Sequence, residues 1–220
     1  MGAISFPLIL SLKVALCATF LAALFGIAVG YFIYARHFAG KEILDTLITV
    51  PLVLPPTVTG LYLMYVFGRN GLIGSFIYDL TGMSIMFSWQ AAVLASFVVA
   101  VPITFKTTRT AFEAVDKNLI EISYVLGKSE SKTFFTIIFP LAWKGIASGL
   151  VLAFARALGE FGATLMLAGN IEGKTNTVPL TIYSLATSGK EYEAHILALI
   201  FTVFSFVFLY TVKKLGHRHA

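Results

Sequence analysis

Residues 113–140 read EAVDKNLIEISYVLGKSESKTFFTIIFP. The stretch carries charges of both signs, while the chain on either side is dominated by long apolar runs. It is too polar to lie in lipid and too patterned for a floppy loop. Gly127 divides it into two short helical halves. Read outward from here, the chain is a set of membrane helices with one polar handle.

Composition sets the class. Hydrophobic residues make up 58% of the 220 positions and charged residues only 12%. A soluble globular chain carries about 25% charged residues. The mean hydropathy of +0.86 agrees, so a polytopic membrane protein is expected. The net charge of +5 does not argue for nucleic acid. In a membrane chain Lys and Arg report topology. The one cysteine, Cys17, lies inside an apolar run and offers no disulfide or thiolate metal site.

Five apolar runs are long enough to span, by the criterion of about 18 residues. The first is Val14–Ala35. Its stronger basic flank (Arg36, His37, Lys41) follows it, which argues against a cleaved signal. Lys13 at its start is expected to snorkel to the interface. The second, about Ile43 to Phe67, contains Pro51, Pro55 and Pro56 and is expected to kink and to face the protein interior. Thr57 and Thr59 stand ready to partner the freed carbonyls. A turn-rich loop follows from Gly68 to Ser84. The remaining spans are about Ile85–Phe105, with Trp89 as an interface anchor, Ile146–Ala168 and Ala194–Val212. Between the last two, Gly169–Thr177 reads as a polar turn and Val178–Thr187 as a short interfacial helix. Gly26/Gly30 and Gly145/Gly149 make two GxxxG spacings, which permit close helix approach.

Charge fixes the orientation. With the polar segment in the cytoplasm, that side holds Arg36, Lys41, Lys106, Arg109, Lys117, Lys128, Lys132, Lys144, Lys213, Lys214 and Arg218. The other side holds Arg69, Lys174 and Lys190. Positive residues gather on the cytoplasmic side of such proteins. Five spans then place the N-terminus outside and the C-terminus in the cytoplasm. The two halves of the chain show no internal repeat, which disfavours an inverted-repeat carrier.

No catalytic pattern is present. Gly127-Lys128-Ser129 and Gly173-Lys174-Thr175 resemble the end of a phosphate-binding loop. That loop needs a second glycine five residues earlier, and those positions are Ile122 and Ala168. His37, His195, His217 and His219 are scattered and lack metal-ligand spacing. The chain is read as non-enzymatic, with no metal or cofactor of its own.

The polar segment carries Glu121-Ile-Ser-x-x-x-Gly127, nine residues, then Ile137-x-Phe139-Pro140. This resembles the cytoplasmic "EAA" loop of ABC importer permeases, E-A-A-x3-G-x9-I-x-L-P. Ile122 and Ser123 stand where the pattern has alanines, and Phe139 where it has leucine. LDTLITVPLVLPPTVTG, GRNGLIGSFIYDLTGMSIMFSWQAAVLA and LAFARALGEFGATLMLAGNI extend the resemblance over nearly the whole chain, toward the molybdate permeases and the related sulfate and tungstate permeases. The resemblance implies a bacterial or archaeal inner-membrane pore built as a homodimer. It further implies two cytoplasmic ATPase subunits carrying ATP and magnesium, and an extracytoplasmic oxyanion-binding protein. The loop would form a coupling helix docked on the ATPase. Residue chemistry suits that role. Leu119, Ile122 and Leu126 recur at helical spacing for a groove, Gly127 permits a reversal, and Ser129 can cap the next helix. Pro140 is expected to end that helix before the next span.

Arg156 and Glu160, four apart in a span, share a helix face. Ionisable groups at this depth cost about 2.5–3.5 kcal/mol each on insertion scales, so mutual pairing is the favoured reading. Direct contact of Arg156 with the transported anion is the alternative. A fixed charge would hold a dianion too tightly for release. Thr57, Thr59, Ser96 and Thr164 are the candidate path donors. The expectation is therefore an all-α, polytopic helix bundle. It has five spans, a short interfacial helix and cytoplasmic coupling helices within residues 113–140, all in one transmembrane domain over 1–220. Its function is the pore of an ATP-driven oxyanion importer. The alternative is a carrier or channel with no ATPase partner.

Overall fold

The axis of the molecule is the helix Trp89–Glu113, against which Gly2–Ala35 and Phe139–Leu158 both pack while also touching each other. The structure is a computed structural model that describes residues 2–217. Arg218 and His219 of the basic tail lie outside the described residues, as do the side chains of Lys213 and His217. Among the described residues every regular element is helical. In chain order these are α1 (Gly2–Ala35), α2 (Lys41–Val53), α3 (Pro56–Phe67), α4 (Gly74–Thr81), α5 (Trp89–Glu113) and α6 (Lys117–Val125). There follow α7 (Glu130–Thr133), a π-helical turn (Phe134–Ile138), α8 (Phe139–Leu158), α9 (Gly162–Ala168), α10 (Val178–Thr187) and α11 (Glu191–His217).

The two glycine pairs explain the core. Gly26 and Gly30 of α1 face Thr104 and Thr108 of α5, while Gly145 and Gly149 of α8 face Ala111 and Thr107. A Cβ on Gly26 would lie 2.5 Å from Thr104 Oγ1, and one on Gly149 1.9 Å from Thr107 Oγ1. Glycine lets the backbones approach, and close packing is what joins helices where water supplies no driving force. Thr104 Oγ1 also donates to the Ala22 carbonyl at 2.9 Å, a hydrogen bond between helices. The first half of α5 is lined by small buried residues, Ala91, Ala92, Ala95, Ser96 and Ala100, in the core shared with α1 and α9.

Four stretches are long and apolar enough to cross a membrane: Ser5–Ala35, Trp89–Glu113, Glu130–Leu158 and Glu191–Val212. The pair α2 and α3 passes the same test together but is bent by 116°. This corrects the expected second span. Its prolines break the helix at Leu54-Pro55 rather than kink it, and Leu54 is extended, as a residue before proline should be. The interior-facing part is α3, with Thr59, Gly60 and Leu63 buried, whereas α2 has no buried residue and only the half-buried Ile48 packs on the core.

Other boundaries also move. The third span begins at Trp89 instead of Ile85, because Ser88 accepts the Ala91 N–H and caps the helix. It runs on to Glu113. At 25 residues and about 1.5 Å each, it outreaches the roughly 30 Å hydrocarbon core, so its charged end projects into water. The expected loop Gly68–Ser84 contains α4. Lys13 lies well inside α1, not at its end, and its ammonium sits 3.6 Å from the Trp89 ring centroid. The fourth span differs at both ends. Pro140 does not stop a helix: α7, the π turn and α8 run on from Glu130 to Leu158. The widened π turn leads directly into the residue that has no N–H to give. At the far end the expected run to Ala168 is interrupted between Leu158 and Gly162.

Candidate functional site

Two places concentrate polar chemistry: the turn at Gly127, and a zone where two helix breaks meet. The turn is built by local rules. Asp116 Oδ1 accepts the Asn118 N–H at 2.9 Å and starts α6. At the other end Lys128 N–H reaches the Ser123 carbonyl at 3.1 Å and Gly127 N–H the Tyr124 carbonyl at 2.9 Å. That pair of bonds is a Schellman stop, and it requires the left-handed residue that Gly127 supplies at φ +76°. Ser129 Oγ then accepts the Lys132 N–H and starts α7. A buried hydrogen bond of 2.8 Å between the Ser123 and Thr133 hydroxyls clamps the two helices together.

The clamp leaves an apolar surface open. Ile122, Val125 and Leu126 are 55%, 87% and 73% exposed, and Leu119 and Tyr124 are exposed beside them. Glu121 is exposed and forms no ion pair among the described residues. Leu119, Ile122 and Leu126 are the residues expected from spacing; Val125, three residues after Ile122, joins them although the sequence reading does not include it. Ile137 and Pro140 are not on α6. Ile137 is half-buried in the π turn, and Pro140 is exposed on the first turn of α8.

Contacts distant in sequence anchor the turn to the membrane body. Arg36 Nη2 lies 3.0 Å from Glu130 Oε2, joining the end of α1 to α7. Tyr31 packs on Phe134 with ring centroids 4.4 Å apart, and both contact Phe112. Ile120 of α6 packs on the same cluster as Val115 and Ile138. A second tether lies nearby. Asp45 of α2 forms ion pairs with both Lys106 and Arg109 of α5, and Arg109 also pairs with Glu113 at 2.8 Å. Neither tether was visible in sequence spacing.

The helix breaks face each other. A Cβ on Gly162, at the start of α9, would come within 2.8 Å of Pro56 Cβ at the start of α3. Gly60 is held as closely against Met166 and Ala163. At this junction Arg156 Nη1 lies 2.7 Å from Glu160 Oε2. The Glu160 side chain is 1% exposed, and its other oxygen accepts the Ala163 N–H at 2.8 Å. One carboxylate thus neutralises an arginine on α8 and satisfies an orphan amide of α9. The four hydroxyl candidates do not share one lining. Thr57 is exposed at the start of α3. Thr59 is buried, with its hydroxyl 3.5 Å from the Pro55 carbonyl. Ser96 and Thr164 are enclosed within the chain. Among the described residues no cluster of His, Cys, Asp or Glu could hold a metal ion.

Residues 14–218 match the family described as binding-protein-dependent transport system inner membrane component. The chain belongs to that family. Relatives extend over most of its length. The molybdenum transport system permease protein ModB of Haemophilus influenzae is 41% identical over 210 residues, covering 95% of this chain and 92% of the relative. ModB of Escherichia coli K12 is 44% identical over 193 residues, covering 87% and 84%. The putative molybdenum transport system permease protein YvgM of Bacillus subtilis is 39% identical over 208 residues, covering 94% and 92%. Among solved structures, the inward-facing MetNI methionine ABC transporter matches with a TM-score of 0.78 at 15% identity, covering 100% of this chain and 97% of its own. A bacterial alginate ABC transporter in complex with its ligand-bound periplasmic protein matches with a TM-score of 0.80 at 13% identity, covering 99% and 80%. At such identities the structures speak for the fold alone. This inner membrane component therefore has the helical transmembrane fold of ABC transporter permeases.

Proposed function

We propose that this chain is the pore-forming subunit of an ATP-driven importer of molybdate or a like oxyanion, driven through the turn at Gly127. Two copies form the pore. Each docks its α6 on a separate ATPase subunit that binds and hydrolyses ATP, and an extracytoplasmic protein delivers the anion. The observation that carries this reading is the surface of α6. Ile122, Val125 and Leu126 stand exposed on a helix fixed by a Schellman stop and a buried hydroxyl clamp, in a chain of this family. An apolar helix face held rigid beside a charged residue is the form that fits a groove. The substrate class follows the molybdenum permease relatives, among them proteins 41% and 44% identical to this chain.

Force delivered to α6 passes through Thr133 and Glu130 into α8 and α1. ATP binding would draw the two coupling turns together and tilt these helices between inward and outward openings. Thr57, at the exposed start of α3, is the hydroxyl donor this reading keeps on the anion's path. Arg156 is held in its pair and is structural.

The experiment is co-purification with the partner ATPase combined with ATP-dependent molybdate uptake in proteoliposomes. Ile122→Asp and Leu126→Asp should each abolish ATPase retention while the chain still inserts and purifies. Uptake that survives both substitutions, or that follows an ion gradient without ATP, would replace this reading with a carrier or channel. Competition by tungstate and sulfate then ranks the oxyanions.

A further inference from the structure

A cavity of about 650 Å³ opens between the end of α1, the helix α6 and α7. Its wall carries Tyr31, Tyr34, Arg36, Lys41, Lys117 and Tyr124. His37 and Lys41 are shared with an adjoining cavity of about 670 Å³ around the loop that enters α2. The charges within it are unevenly committed. Three carboxylates also line the wall, Glu113, Glu121 and Glu130. Glu130 is taken by Arg36 at 3.0 Å and Glu113 by Arg109 at 2.8 Å. Lys41 and Lys117 have no side-chain partner among the described residues. Lys41 and Lys117 share this cavity with Glu121, and Lys41 and His37 share the adjoining one with Glu42, without an ion pair among them.

The surroundings are apolar on one side. Phe32, Phe38 and Ile43 are 50%, 37% and 67% exposed next to the basic loop, and the Phe32 and Phe38 rings pack on each other. A recess with two ammonium groups outside any ion pair among the described residues and the hydroxyls of Tyr34 and Tyr124, bordered by exposed phenylalanine at the end of a spanning helix, matches a phosphate carrying acyl chains. Basic pockets on the cytoplasmic side of spanning helices hold anionic headgroups in this way.

We infer that this recess is a binding site for a phosphate monoester or diester, with the headgroup of an anionic phospholipid as its source and Lys41 and Lys117 as its cationic contacts. The inference rests on the cytoplasmic assignment of this end. It does not require an ATPase partner, so it can fail separately from the proposed transport function. With lipid in place the site ties the end of α1 to the base of α6 through a shared anion. The coupling turn would then be held at a fixed depth in the inner leaflet.

The test is native mass spectrometry of the purified full chain titrated with phosphatidylglycerol or phosphatidylcholine. The wild type should retain phosphatidylglycerol preferentially. Lys41→Gln/Lys117→Gln should weaken that retention on the order of thirtyfold, the combined effect of two lysines at an anionic surface. The control Lys174→Gln/Lys190→Gln, on the opposite side, should keep it. Glycerol 1-phosphate binding to delipidated protein, lost in the same double variant, would assign the site to a soluble phosphate ester; failure of glycerol 1-phosphate to bind would assign it to lipid. Equal retention by wild type and the Lys41/Lys117 variant overturns the inference, and so does an equal loss in the control.

Discussion

Glu160 is buried, and both of its oxygens are committed. Removing one partner of a buried ion pair costs about 3–5 kcal/mol, and the partial exposure of Arg156 puts this pair toward the lower end. Glu160→Gln keeps an acceptor for the Ala163 amide but loses the charge, while Glu160→Ala loses both. Thermal stability of the purified chain should fall in the order wild type, Gln, Ala. Arg156→Met/Glu160→Met should recover much of the loss. A variant Arg156→Gln that assembles fully yet transports nothing would instead make Arg156 an anion contact. The i,i+4 spacing of this pair was legible, because it is local. The cap on α9 was not, since it depends on a helix break hidden inside an apolar run. The glycines make a sharper contrast. Gly149→Ala drives a methyl into Thr107 and should cost about 1–3 kcal/mol as overpacking. Gly159→Ala meets nothing closer than the Ala155 carbonyl at 3.7 Å and should be nearly neutral in the same melt.

Among the elements, α2 joins the bundle through an ion-pair cluster and the half-buried Ile48. It buries no residue within the chain, and Asp45 fastens it to Lys106 and Arg109 of α5. Asp45→Asn should therefore raise amide exchange across Lys41–Val53 while leaving α5 protected, a difference that hydrogen-exchange mass spectrometry reads directly. Protection of α2 that is unchanged would mean apolar contacts do the holding. The sequence showed the elements best where their signals are local. Asp116, Gly127 and Ser129 punctuate α6 and α7 as their residue types require, and Val178–Thr187 is a helix over the span expected. It showed them worst where geometry depends on distant neighbours. Three prolines announced a disturbance between Ile43 and Phe67 but not a 116° bend, because the angle is set by the seat of α3 against α9. Arg36 with Glu130, and Asp45 with Arg109, are far apart in sequence, and no spacing rule joins them.

For the whole molecule, the two GxxxG pairs were readable as close-packing devices, and the structure sets them on neighbouring strips of α5, so that α1 and α8 also touch each other. Which helix they serve was not written in the motif. Orientation is open to a direct test. With Cys17 replaced by Ala, a cysteine at Lys128 should react with an impermeant maleimide only in inverted vesicles, and one at Lys174 only in intact cells. The reverse labelling would turn the molecule over and place the coupling turn outside. Cross-linking through the exposed face of α2 and α3, where Leu47, Val53, Leu61 and Tyr65 are exposed, should yield a dimer of identical subunits if two copies make the pore.

The π turn at Phe134–Ile138 has a consequence for how this gene can change length. A π turn holds one residue more than the α-helical path would need. Elsewhere in a spanning helix, losing one residue rotates everything beyond it by about 100° and turns a packed face toward lipid. Here a single deletion would let the turn relax to ordinary α-helix, while α8 keeps its azimuth against α5. Chains of this kind should therefore tolerate one missing codon between Phe134 and Ile138 and almost nowhere else in α5 or α8.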